Sequence, residues 1–182
     1  MENPWITKDE VVKYENAWIK VTHCNVINPS GNDGIYGVVH FKNLAIGIVP
    51  LDDEYNTWLV GQFRYTLNEY SWEIPEGGCP QNTDPLLTAK RELLEETGIV
   101  AQEWSEILKL HTSNSVTDEY GFAYVAKKLT FQHAQPEDTE QLIIKKLPFS
   151  EAFDMVMDGR ITDALSMVAI MKVKLLIDQG VI

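Results

Sequence analysis
Gly77 to Ile99 reads GGCPQNTDPLLTAKRELLEETGI, and the order of charges and glycines within it decides how the surrounding chain is read. Leu86, Leu93 and Leu94 can share the buried side of one amphipathic helix, predicted over Pro85 to Thr97. Asp84 is a strong N-cap, Pro85 suits the first helical position, and Gly98 suits the residue that closes a helix. On that helix Glu92, Glu95 and Glu96 are close neighbours, and Glu92 and Glu96 repel each other by a few tenths of a kcal/mol. Such a cluster attracts a cation. Carboxylate oxygens suit a hard divalent ion, and Mg²⁺ bound by a few carboxylates completes its shell with water and substrate phosphate. The plainer alternative is a surface helix whose glutamates are merely solvated, but Gly77, Gly78, Arg91 and Gly98 in register with the acids argue against it.

Gly77, followed by Arg91-Glu92-Leu93-x-Glu95-Glu96-x-Gly98-Ile99, resembles the Nudix box, G-x5-E-x7-R-E-U-x-E-E-x-G-U, where U is a bulky aliphatic residue. Eight of the nine defined positions match. The remaining one, the first glutamate of the box, is Thr83 in this chain. In that family this glutamate braces the loop against the arginine while the later acids hold the metal, so the departure bears on local stability more than on catalysis. Working outward, WLVGQFRYTLNEYSWEIPEGG is similar to the lead-in to the box in the ADP-ribose and nucleoside diphosphate sugar pyrophosphatase branch. GRITDALSMVAIM is similar to that branch's C-terminal helix. The resemblance implies an α+β chain with the Nudix α/β/α sandwich, a mixed sheet between helices. It also implies two parts: an N-terminal β-segment, residues 1–42, used for dimerisation and nucleobase contacts, and a hydrolase domain, residues 43–182.

The same resemblance assigns residues. Glu92, Glu95 and Glu96 are the expected ligands of Mg²⁺, or of Mn²⁺ in its place, joined by the backbone carbonyl at Glu76; Arg91 and Glu96 are counted with the catalytic machinery. A general base is expected on a loop ahead of a late strand, in Pro136-Glu137-Asp138-Thr139-Glu140. Glu140, just before the apolar Leu142-Ile143-Ile144, is preferred, with Asp138 and Glu137 as alternatives and a solvated acidic loop as the competing reading. Arg64 matches a phosphate-contacting arginine, a role suited to its rigid fork of donors; Glu73 approaches the same end of the substrate, and Gly78 is a further substrate-binding position. Trp18 and Tyr36 align with aromatics that sandwich the nucleobase, against ordinary core or dimer-interface packing. The expected activity is Mg²⁺-dependent hydrolysis of nucleoside diphosphate sugars of the ADP-ribose or GDP-mannose type, giving a nucleoside monophosphate and a sugar phosphate. The alternatives are a hydrolase of another nucleoside diphosphate derivative, such as a dinucleotide or alarmone, and a ligand-binding regulator without turnover.

Composition narrows the partners. The 182 residues suit one domain with a modest appendage, and a formal charge of −12 argues against a broad basic face for nucleic acid. Cys24 and Cys79 lack zinc or disulfide-framework spacing, and His23, His40, His111 and His133 form no ligand pattern. The opening MENPWITKDEVVKYE does not look like a signal peptide, and no stretch of about 18 apolar residues appears. The expectation is a cytoplasmic protein that engages neither membrane nor nucleic acid, to which the resemblance adds a homodimer. Apolar and β-branched bursts predict strands at Trp18 to Val26, Tyr36 to Phe41, Leu44 to Val49, Thr57 to Tyr65, Tyr120 to Lys127 and Leu142 to Leu147. Further helices are expected at Ser150 to Asp158 and Thr162 to Asp178, each followed by a glycine.

Overall fold
The computed structural model describes residues 1–134 and 142–182. Its elements run β1 (Ile6–Glu15), β2 (Ile19–Ile27), β3 (Asp33–Phe41), β4 (Asn43–Pro50), β5 (Asn56–Arg64), β6 (Glu69–Glu73), β7 (Glu76–Pro80), α1 (Pro85–Thr97), β8 (Ile99–His111), β9 (Tyr120–Phe131), β10 (Ile143–Pro148), α2 (Phe149–Met157) and α3 (Ala164–Asp178). The strands form three sheets, ordered β1-β2-β3, β10-β5-β6 and β7-β4-β9-β8. The last is mixed: β4 runs parallel to β9, whereas β7 pairs antiparallel to β4 and β8 antiparallel to β9. The α+β expectation with a mixed sheet therefore holds.

Alternation along the central strands explains the layers. Ile46 and Ile48 of β4, with Tyr124 and Ala126 of β9, join Ala89 and Leu93 of α1 in one core. Val49, Ala123 and Val125 point the other way, into a second core with Met155 and Val156 of α2 and Leu165, Ala169 and Ile170 of α3. A strand with helices on both sides must be apolar on both, which is why IGIV and FAYVA read as near-continuous apolar runs. Leu93, Ile46 and Ile170 have no exposed surface, and each such side chain stabilises the fold by about 1.5–3 kcal/mol relative to exposure. No helix among the described residues is long and apolar enough to cross a membrane.

The start of α1 follows the local chemistry. Asp84 accepts a hydrogen bond from Leu86 N at 3.0 Å, Pro85 occupies the first turn, and Gly98 adopts φ 71° while its N–H bonds Leu94 O. Four strands have no counterpart in the sequence expectations: β1, β6, β7 and β8. Each lacks a strong apolar signal. In β1 all ten residues are exposed, β7 is the glycine-rich EGGCP, and β8 is half polar, with its burial set by pairing to β9.

The N-terminal sheet is seamed to the rest through residues 113–118. Val39 N donates to Val116 O at 2.9 Å, Tyr36 Oη to Ser115 O at 2.7 Å, and His40 Nδ1 lies 2.6 Å from Asp118 Oδ2. This seam brings the end of β3 to the mouth of a cavity on the main body.

Candidate active site
Strand β7 carries Glu76, Gly77 and Gly78 alongside β4, with Gly47 opposite Glu76 and Ala45 opposite Gly78. Helix α1 lies against this strand so closely that a Cβ on Gly77 would come within 2.1 Å of the Glu92 carboxyl carbon. Any side chain at Gly77 would therefore displace the Glu92 carboxylate from its place against the strand. One turn on, Glu96 Oε2 accepts the Glu76 backbone N–H at 3.0 Å, and Glu96 is only 2% exposed. Strand and helix are pinned together by one of the acids of the cluster.

Arg91 lies over the outer acids. Its guanidinium pairs with Glu92 through a short contact and with Glu95 Oε2 at 2.5 Å. Burial disfavours its charge, but Glu92 and Glu95 outweigh that and hold its pKa above the ordinary value. Thr83, at the box position of the first glutamate, is exposed; its N–H closes a turn on Pro80 O at 2.8 Å. The cap at Asp84 supplies the helix start that this turn leads into.

A second charged group sits across β7. Arg64 Nε donates to both Glu73 oxygens, at 2.9 and 3.1 Å, and its Nη2 donates to Glu73 Oε2 at 2.5 Å and Glu76 Oε1 at 2.7 Å. Burial works against the guanidinium's charge, and Glu73, Glu76 and Asp163 together raise its pKa despite it. Glu76 is pushed well above the usual carboxylate range by burial first, then by Asp163 and Glu73, with Arg64 opposing and Glu96 adding to the rise. Its Oε2 is buried with no hydrogen-bond partner. Asp163 caps α3, accepting from Ser166 N at 2.7 Å, and the Ser166 hydroxyl in turn accepts Ile74 N at 3.0 Å.

Arg64, Glu76 and Asp163 face a cavity of about 440 Å³ that Trp18, Gln62 and Gly78 also line, whereas Arg91, Glu92, Glu95 and Glu96 of α1 are not among its lining residues. Trp18 is 68% exposed at the edge of this cavity and is not spent in a core. Glu73 lines an adjoining cavity of about 470 Å³, which shares Phe41, Arg64, Glu76, Glu119 and Asp163 with the first. Tyr36 is placed differently: its ring meets the edge of Trp5 at 5.5 Å and its hydroxyl holds Ser115 O. It is not among the residues lining either cavity. Glu140, with Glu137 and Asp138, lies outside the described residues. Sequence reasoning passed over Asp163 and Glu119. The first carries only a helix-cap signal, and the second sits in a polar stretch whose place at the site depends on the seam with β3.

The donor set fits a hard divalent cation. Every side chain offered is a carboxylate, one buried oxygen of Glu76 is unpartnered, and the absence of a Cβ at Gly77 lets the Glu92 carboxylate reach the strand. Among the described residues no three acids, histidines or cysteines are already converged as a metal centre; Glu92 and Glu95 are engaged by Arg91.

Comparison with known proteins shows what the chain and its fold are similar to. A model of the NUDIX domain matches residues 41–163. The ADP-ribose pyrophosphatase of Mycobacterium tuberculosis is 32% identical over 140 residues, 75% of this chain and 66% of that protein. The methanol dehydrogenase activator of Bacillus methanolicus is 30% identical over 174 residues, 92% of this chain and 94% of the other. The crystal structure of an ADP compounds hydrolase superposes with a TM-score of 0.86 at 20% identity, covering 98% of this chain and 97% of that one, which shows a shared fold.

Proposed function
Since the chain belongs to the NUDIX family and is a pyrophosphatase-type hydrolase, we propose that it hydrolyses the pyrophosphate bond of ADP-ribose or a similar nucleoside diphosphate sugar, with Mg²⁺ or Mn²⁺. The observation that carries the proposal is the joining of α1 to β7 at a cavity, where Glu96 holds the Glu76 N–H and Arg64 stands beside Glu76. Glu92, Glu95 and Glu96, with Glu76, would hold the cation. When bound, a divalent ion neutralises phosphate charge and makes a bound water acidic enough to act as nucleophile near neutral pH. Water then adds to one phosphorus, the P–O–P bridge breaks, and the products are a nucleoside monophosphate and a sugar phosphate. Arg64 orients the diphosphate through its fixed donors, Glu73 holds that guanidinium in place, and Trp18 stacks on the base. Arg91 keeps the outer glutamates from spreading under their mutual repulsion. Glu140 is proposed as the base that takes the proton of the attacking water.

The proposal includes a homodimer formed through residues 1–42, a nucleobase-contacting role for Tyr36 across that interface, and a cytoplasmic setting. GDP-mannose is the second sugar nucleotide to test. Similarity over nearly the whole length to a protein named as a dehydrogenase activator favours one further reading, a regulator that binds such a ligand without turning it over.

Incubation with ADP-ribose, GDP-mannose, UDP-glucose and a dinucleotide, with and without Mg²⁺, separates these readings. Metal-dependent release of AMP from ADP-ribose supports the proposal. Release from the dinucleotide alone redirects the substrate class, and retention of ligand with no monophosphate supports the regulator.

A further inference from the structure
The two cavities that meet at Arg64 differ in chemistry. Trp18 and the glycines of β7 line the first alone, whereas the second extends past Glu73 to Ser71 and Thr162. A base stacked on Trp18 therefore directs the other end of a diphosphate-linked molecule toward the second cavity. Among the described residues lining that cavity, the carboxylates Glu73, Glu119 and Asp163, with the buried acid Glu76, stand against one cation, Arg64. That cation is braced by Glu73 and Glu76 and, in the proposed reading, committed to the diphosphate rather than to the far end of the substrate. The remaining feature that could attract an anion is the N-terminus of α3, which Thr162, Asp163 and Ala164 bring to the cavity wall. Asp163 fills it: its Oδ2 takes the Ser166 N–H at 2.7 Å and adds a negative charge where the helix offers a partial positive one.

We infer that this second cavity selects an uncharged, hydroxyl-bearing sugar and rejects one carrying a further phosphate, with Asp163 as the specificity-determining charge. The inference rests on the proposed sugar-nucleotide reading and names the substrate class within it. Carboxylates and the Ser71 and Thr162 hydroxyls can receive sugar hydroxyl protons, which suits a polyol. A phosphate monoester there meets the like charge of Asp163, with only neutral hydroxyls rather than a further cation to receive it.

The test compares ADP-ribose with ADP-ribose bearing a phosphate monoester on its distal ribose, in the full chain and in Asp163→Asn and Asp163→Ser. Asn and Ser both cap helices well, so the cap is kept and only the charge is lost. The unsubstituted chain should prefer the plain substrate in kcat/KM. Each variant should shift that preference toward the phosphorylated compound by about tenfold, the order expected for one screened charge at close range, with Tm little changed. Dissociation constants for both compounds in Ca²⁺, under conditions without hydrolysis, should shift in the same sense. An unchanged ratio in both variants makes Asp163 a helix cap only and overturns the inference, as does equal use of both substrates by the unsubstituted chain; in either case hydrolysis of ADP-ribose itself still supports the proposed function. Conversely, if ADP-ribose is not hydrolysed, the proposed function fails, and the ratio of dissociation constants alone decides the inference.

Discussion
Glu96 illustrates how one side chain serves two ends. It belongs to the acidic face that suits a cation, and it accepts the backbone N–H of Glu76, so it also sets the spacing between helix and strand. Glu96→Gln retains an acceptor while removing a charge. The fold should persist, Mg²⁺ affinity should weaken, and turnover should fall about 10²-fold or more, because several kcal/mol of charge stabilisation are at stake and 1.36 kcal/mol is tenfold in rate. Metal titration with circular dichroism on the same sample checks both parts. Glu140→Gln should differ in kind: a rate loss of about 10²–10⁴-fold typical of a general base, with metal affinity kept. Normal turnover in that variant and an inactive Asp138→Asn would move the base to Asp138. Glu76 gives a pH prediction. Its folded-state pKa lies well above the ordinary 4.5, so the folded chain holds a proton there that the unfolded chain releases, and folding loses stability as pH rises through the interval above 4.5. Glu76→Gln escapes this penalty. Its Tm relative to the unsubstituted chain should therefore increase with pH above that value, with the advantage absent below it; a difference constant with pH would show that the carboxyl titrates normally.

At the scale of elements, α1 is positioned by its ends as much as by its buried face. The Asp84 cap, Pro85 and the left-handed Gly98 fix where the helix begins and stops, so Glu92 and Glu96 arrive at β7 in the correct turn. Asp84→Ala should cost about 1 kcal/mol of stability, the usual worth of an N-cap, read by chemical denaturation; a loss near zero would mean the turn at Thr83 already suffices. This helix was legible in the sequence because every local signal agrees: periodicity, cap, first-turn proline and terminal glycine. Strand β7 was not. Five residues with two glycines and a proline carry little strand propensity, and its pairing comes from β4, whose partners extend from Asn43 opposite Pro80 to Gly47 opposite Glu76. Tyr36 aligns by resemblance with a nucleobase-stacking aromatic, and in the fold its hydroxyl meets Ser115 O and its ring meets Trp5, a placement set by how β3 meets residues 113–118.

For the whole molecule, the N-terminal sheet raises the question of what covers it. Strand β1 is exposed along its full length, including Ile6, Val11, Val12 and Tyr14. So much apolar surface on one strand is costly in water and an association hazard for a lone chain. If a second copy buries it, as proposed, sedimentation should give about twice the 20.7 kDa chain mass, and removing residues 1–42 should abolish assembly and weaken nucleotide affinity. A monomer with full activity would falsify the shared-dimer reading.

The linear chain determined the acidic helix, its caps, the apolar core strands and the family resemblance, because these depend on residues near one another or on periodicity that a single element displays. Tertiary structure decided which distant groups share the site. Arg64, Glu76 and Asp163 are far apart in sequence, yet they meet because β5, β7 and the start of α3 converge beside one cavity. Burial there changes their chemistry: a carboxyl at Glu76 is unremarkable in the chain, but with one oxygen on Arg64 and the other buried without a partner it is pushed well above the usual carboxylate range. Local propensity carries no record of that convergence, since desolvation and like-charge proximity exist only once the layers have packed.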